Sequence, residues 1–176
     1  MPISGPDWVS QFPQSKSVDD LAEPFRDNVN RFLSALSDAG AAVSIAATLR
    51  PPERAYLMHY AFLIARGGAD PSSVPAMPGV DIQWAHDEAI SAAEAMVRGY
   101  DIVFQPVLAS RHTQGLAIDM DITWQGSLTI ADAQGVTTTI ASLPRSGGNG
   151  ALQAVGNSYG VKKLATDPPH WSSDGH

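Results

Sequence analysis

His112 and Asp119 stand seven residues apart in the run Ser110-Arg111-His112-Thr113-Gln114-Gly115-Leu116-Ala117-Ile118-Asp119, and a second histidine closes Asp167-Pro168-Pro169-His170. Two imidazoles and one carboxylate form a ligand set that catalytic zinc uses, with the fourth tetrahedral position left for water or substrate. Each donor atom must come within about 2.0 to 2.2 Å of a single ion. A straight strand would hold the His112 and Asp119 backbones roughly 23 Å apart at about 3.3 Å per residue. Two turns of helix would still leave about 10.5 Å along the axis. The spacing therefore calls for a ligand on a loop, a turn at Thr113-Gln114-Gly115 in which Gly115 takes positive φ, and a strand that brings Asp119 back.

From Leu116 the alternation places Ala117, Asp119 and Asp121 on one face and Ile118, Met120 and Ile122 on the other, so one face is site and the other core. Asp121 shares the site face as a supporting or solvated residue. Gln125-Gly126 suggests a tight hairpin into Ser127-Leu128-Thr129-Ile130. At the second ligand, Pro168 and Pro169 exclude helix and favour an extended polyproline-like path. That path repeats every three residues, so Asp167 and His170 point the same way from backbones about 9 Å apart. With His170 on the metal, Asp167 is placed to reach a metal-bound water as general base.

The pattern Ser-x-His-x-x-Gly-x-Ala-x-Asp, met in full by Ser110 to Asp119, and the later acidic-x-x-His of Asp167 and His170 resemble zinc D-Ala-D-Ala carboxypeptidases and dipeptidases, and the L-Ala-D-Glu endopeptidases of phage lysins. The resemblance implies one zinc ion on His112, Asp119 and His170, with Asp167 as catalytic base. It also implies that Arg50, in Thr48-Leu49-Arg50-Pro51, contacts substrate and the developing oxyanion, with Arg54 and Arg111 as rivals for that part. Ser110 and Trp171 are the further candidates for substrate contact, Ser110 also supporting the His112 loop. Carboxypeptidase-type members usually carry Glu as base and Trp before the second histidine, whereas this chain has Asp167 and Pro169, with Trp171 after it. The ending looks more like the endopeptidase branch. Pro168 breaks the His-x-His that lysostaphin-type enzymes need. The expected reaction is hydrolysis of an amide in peptidoglycan stem or cross-link peptides. A competing class is a catalytically silent, metal-stabilised wall-binding or phage structural module.

The elements that position these residues are legible in outline. Ser17-Val18-Asp19-Asp20-Leu21 opens an amphipathic helix with Leu21, Phe25, Val29, Phe32, Leu33 and Leu36 on one stripe and Gly40 past its end. Residues 42–49 read as a short apolar strand, 52–65 as a helix closed by Gly67-Gly68, and 69–79 as an exposed proline-bearing loop. Residues 81–98 read as a third helix, with Trp84 facing core or substrate; His59 and His86 fall in helix-like stretches as packing or surface residues. Ser146-Gly147-Gly148-Asn149-Gly150 reads as a flexible loop before a helix over 151–158, and His176, terminal, reads as disordered. Helices and antiparallel strands outside βαβ alternation predict an α+β fold, and the resemblance implies a small antiparallel sheet carrying the zinc site, packed with helices as in hedgehog and D,D-peptidase folds.

Composition fits one monomeric domain over 1–176. The chain is 44% hydrophobic and 16% charged, which is globular and not disordered. It has no cysteine, hence no disulfide and no thiolate ligand. A net charge of -7 argues against nucleic acid, which needs clustered Lys and Arg. There is no basic-then-apolar leader and no run of 18 apolar residues, so neither signal peptide nor membrane insertion is expected. A wall-acting enzyme made in the cytoplasm without a leader would be released by phage lysis or by a contractile secretion apparatus.

Overall fold

Pro24 sets the start of the first helix. Proline lacks the N–H that a helix interior needs and disfavours helical backbone in the residue before it, so α1 runs Phe25–Asp38 rather than from the Ser17 segment. Ser17 instead caps a single 3-10 turn at Val18–Asp20, its side chain accepting from the Asp19 N–H. The computed structural model describes residues 1–176. The other elements are β1 (Ala42–Ala47), α2 (Pro52–Ala65), α3 (Ala89–Gly99), β2 (Ala117–Thr123), β3 (Leu128–Ala131), β4 (Thr137–Ile140), α4 (Gly150–Ser158), β5 (Lys162–Lys163) and β6 (His170–Ser172). The class is α+β, with small antiparallel sheets. No helix is long and apolar enough to cross a membrane.

The chain forms two compact units, the first made of Met1–Gln14 and Arg50–Ser110. Here α2 and α3 bury Leu57, Ala61, Ile64, Ala93 and Met96 in a common core. The third helix begins eight residues later than 81 because the segment before it is extended, with Gln83 bridged to Ile3 and Val80 to Met77. Trp84 therefore enters the core from this strand-like stretch, 4% exposed, and its indole donates to the Tyr56 hydroxyl at 3.0 Å. His86 lies ahead of α3, not within it, 2.8 Å from the Ser4 hydroxyl. His59, on α2, bonds the Pro106 carbonyl at 2.7 Å.

The second unit comprises Ser15–Leu49 and Arg111–His176. Its sheet has the order β1-β2-β6-β5, and β3 pairs only with β4. The hairpin expected between β2 and the segment from Ser127 does not form, because β1 and β6 occupy the two edges of β2. Gly126 does turn the chain at φ 64, but β3 then finds its partner across Asp132–Gly135, where the Asp132 N–H donates to Val136. One face of the sheet packs Ile118, Met120, Ile122 and Trp171 against Phe25, Val29, Phe32 and Leu36 of α1. Burial of each such side chain contributes on the order of 1.5–3 kcal/mol.

The Ser146–Gly150 segment is a bonded cap, not a flexible loop. Asn149 is 1% exposed; its carboxamide oxygen accepts from the Ala151 and Leu152 N–H groups, and its nitrogen donates to Ser142 and Pro144 carbonyls. An Asn ahead of a helix satisfies N–H groups that have no intrahelical partner. Here the same side chain also fastens the preceding turn.

Candidate metal centre

Three segments bring the ligand candidates together. Asp119 is at the middle of β2, where its Cα partner on β6 is His170 and its partner on β1 is Ala47, after a bulge between Ile45 and Ala47. Neighbouring strands lie about 4.8 Å apart, so register alone sets Asp119 and His170 side by side. His112 arrives from the turn before β2, closed by the Gly115 N–H on His112 and the Leu116 N–H on Arg111. Gly115 has φ 70, and an added Cβ would lie 2.9 Å from the Ala22 backbone nitrogen. Both the conformation and the space demand glycine, as the spacing argument required.

The three donor atoms converge. His112 Nε2 lies 3.1 Å from Asp119 Oδ1 and 3.2 Å from His170 Nδ1, and His170 Nδ1 lies 3.0 Å from the same carboxylate oxygen. Tetrahedral bonds of about 2.0–2.2 Å would place ligand atoms about 3.3–3.6 Å apart, close to what is found. The other nitrogen of each ring faces a backbone oxygen: His112 Nδ1 meets Thr48 O at 2.7 Å, and His170 Nε2 meets His176 O at 3.1 Å. Such oxygens only accept, so each ring carries a proton on that side, and its inward nitrogen presents a lone pair when the ring is neutral and an N–H when it is protonated. Two lone pairs and a carboxylate at this distance require a shared proton or a cation. The group His112, Asp119 and His170 could hold a metal ion, and the outward bonds are the kind that orient metal-bound histidines.

Charges in the cluster agree. Burial pushes the Asp119 carboxyl up, but hydrogen bonds from His112 and His170 and their charges outweigh it, and its pKa falls far below the ordinary carboxylate value. Burial works against protonated His170, yet the Asp119 bond, the His176 oxygen and the charges of Asp119 and Asp167 prevail and raise its pKa. Without a metal, the anionic site attracts a proton in its place.

The remaining candidates divide. Asp167 is exposed and lies on a closed turn rather than an extended polyproline path: its carbonyl accepts from the His170 N–H at 3.1 Å, and its own N–H donates to Leu164. The reversal is forced, since β5 and β6 pair antiparallel from Lys163↔Trp171 onward and the seven residues between must turn back. A turn brings the Asp167 and His170 backbones within about 7 Å, nearer than the extended path. Trp171 is 0% exposed, its ring 5.6 Å from that of Phe32, so it is a core residue and not a substrate contact. Strand alternation dictates this: with His170 on the site face, its neighbour must face the core. Asp121 is exposed on the site face.

Arg50 and Ser110 belong to the first unit, and neither is in the ligand group. Arg50 Nε donates to Gln14 at 3.4 Å. Arg54 is committed to the Val9 carbonyl and to the face of Tyr100, whose hydroxyl burial pushes up to about 12. Arg111 binds Gln114 and Asp174, and this partner holds the Asp174 carboxyl down to about 2.

Several contributors carried no signal in the sequence pattern. Thr48 is fully buried, its N–H on Ser15 O and its hydroxyl on Ser17 O, which fixes the carbonyl that His112 uses. The Lys163 ammonium donates to the carbonyls of Leu164, Asp167 and His170, gathering the turn that carries both residues. Burial lowers the Lys163 pKa against the pull of Asp167 and Asp119. A cleft of about 470 Å³ is lined by Met120, Asp121, Ile122, Thr123, Ser146 and Lys163 among others, and none of His112, Asp119, Asp167 and His170 lines it. The chain matches no family model, no curated protein and no solved structure.

Proposed function

We propose that the protein is a zinc-dependent peptidase that hydrolyses an amide bond in the stem or cross-link peptides of peptidoglycan, with an L-Ala-D-Glu bond preferred over a D,D bond. The observation that carries this reading is the inward convergence of His112 Nε2, Asp119 Oδ1 and His170 Nδ1, with both histidines tethered outward to backbone oxygens. Three protein donors leave a tetrahedral ion one free position, the arrangement of catalytic rather than structural zinc. The Ser110–Asp119 and Asp167–His170 patterns support the substrate class by resemblance.

Bound zinc lowers the pKa of a coordinated water to about 7 and polarises the scissile carbonyl. Everything else falls to the chain. The Thr48 and His176 oxygens keep the two imidazoles in the tautomer that presents a lone pair. Asp119, with its depressed pKa, stays anionic at every physiological pH. Asp167 takes the proton from the attacking water and returns it to the leaving nitrogen, and Lys163 holds its backbone in place from the other side.

The test is mass spectrometry of purified muropeptides incubated with zinc-loaded protein, beside Asp167→Ala protein that retains its metal. New peptide fragments that disappear with the variant are expected, and their masses identify the bond. Intact muropeptides in the presence of one bound zinc would overturn the enzyme reading in favour of a metal-stabilised binding module.

A further inference from the structure

The oxygen that orients His170 is not part of any strand. It belongs to His176, in the segment that follows β6, and that segment is shaped by one carboxylate. Asp174 Oδ1 accepts from the His176 N–H at 3.2 Å and from the Ser172 hydroxyl at 3.3 Å. The Ser172 oxygen in turn accepts the Gly175 N–H at 2.8 Å, and Gly175 takes φ 85, so the chain bends back towards β6. The second oxygen of Asp174 is bound by the Arg111 guanidinium, which also donates to Gln114 at 2.7 Å. Arg111 immediately precedes His112, and its carbonyl closes the His112 turn through Leu116. The Ser173 N–H donates to the Leu116 carbonyl at 3.0 Å, joining the two segments a second time.

We infer that Asp174 is a positioning residue of the metal centre: clasped by Arg111, it ties the His112 turn to the tail and sets the His176 oxygen that keeps the His170 proton on Nε2. The inference rests on the metal reading of His112, Asp119 and His170, and adds the pair that holds two of them in register. Removing the carboxylate leaves the His176 N–H and the Ser172 hydroxyl without their acceptor. His170 then loses a fixed partner for Nε2 and is free to move its proton to Nδ1, the atom that must present a lone pair. Partners of this kind typically contribute about 10- to 100-fold in metal affinity.

The experiment compares the full chain with Asp174→Ala and Arg111→Gln proteins in two measurements. Zn²⁺ competition against a chromophoric chelator gives the dissociation constant, and long-range ¹H–¹⁵N NMR of the metal-free proteins, at a pH high enough that both imidazoles are neutral, reads each histidine tautomer. Expected are a 10- to 100-fold weaker zinc affinity in both variants and a shift of His170 from Nε2–H to a mixture, with His112 remaining Nδ1–H. Lower melting temperature with unchanged affinity and unchanged His170 tautomer would overturn the inference and leave the pair as a surface staple. If Asp174→Ala does not fold, Arg111→Gln answers the same question from the other partner. Failure of the unaltered protein to bind zinc would strike the metal reading, while the tautomer comparison would still decide the clasp.

Discussion

His112 rests on the carbonyl of Thr48, a fully buried residue beyond the end of β1 whose own N–H and hydroxyl are tied to Ser15 and Ser17. His170 rests on an oxygen from a tail that side chains hold, and enters β6 from a turn gathered by a lysine. The first histidine is thus set by backbone already ordered in the core. The second is set by polar bonds at the surface, where water competes for every partner. Perturbing each neighbourhood should therefore have different consequences: stability on the His112 side, affinity for the metal on the His170 side.

The largest effect tests what both sides share. Asp119→Ala should abolish stoichiometric zinc binding in a chelator titration, a loss beyond the about 10- to 100-fold that outer partners contribute, because the site loses one of its three donors and the only anionic one. Trp171→Ala comes next, with a loss of about 3–5 kcal/mol in denaturant unfolding, since the ring fills the core against Phe32 and the backbone around Gly156. An effect of this substitution on peptide affinity with stability intact would restore the substrate role for Trp171.

The contrast itself is tested by a pair. Thr48→Val leaves the Ser17 carbonyl without its donor, so unfolding free energy should fall by about 1–3 kcal/mol while the zinc dissociation constant stays within a few-fold. Lys163→Met releases three carbonyls of the Leu164–His170 turn; zinc affinity should fall about 10-fold or more with a smaller change in melting temperature. The reverse pattern, measured by the same titration and melts, would dissolve the comparison.

The smallest effect is a pH dependence. Asp174 is lowered from 3.8 to about 2 by Arg111, so its favourable contribution is present above the unfolded value and is lost as pH falls from 3.8 through about 2. In metal-free protein, the stability difference between the parent and Asp174→Asn should be flat above about pH 5 and shrink below pH 4. A difference that grows on acidification would place the shift on another group. Its half-exposed position at the surface keeps the effect modest.

The site was more legible than the path of the chain around it. Residue types and the Gly115 spacing were enough to group His112, Asp119 and His170, because few backbones can deliver two ligands seven apart and Gly115 marked the turn. The alternation along β2 separated Asp119 from Ile118 and Met120 correctly. What failed was pairing. Nothing local in Leu128–Ala131 says that β2 is already flanked on both edges, and nothing in two prolines says that the chain must turn back to form a strand at His170. Trp171 was misplaced for the same reason: its face is fixed by β6, an element the proline-led reading did not contain. Asp174 and Lys163 act by closing backbone oxygens and nitrogens from afar, which leaves no periodic trace.

The register of β2 on β6 has a consequence in time. Asp119 and His112 are neighbours along the chain, but the Asp119–His170 contact joins residues 51 apart, and closing such loops costs entropy before any pairing energy is recovered. The nascent chain can offer an ion only the local His112–Asp119 pair until β6 docks. The third donor arrives with the strand that also drives Trp171 into the core. With an ion held as proposed, its tight capture and completion of the core would be one event, so the rate at which refolding protein takes up zinc should match the rate at which Trp171 is buried.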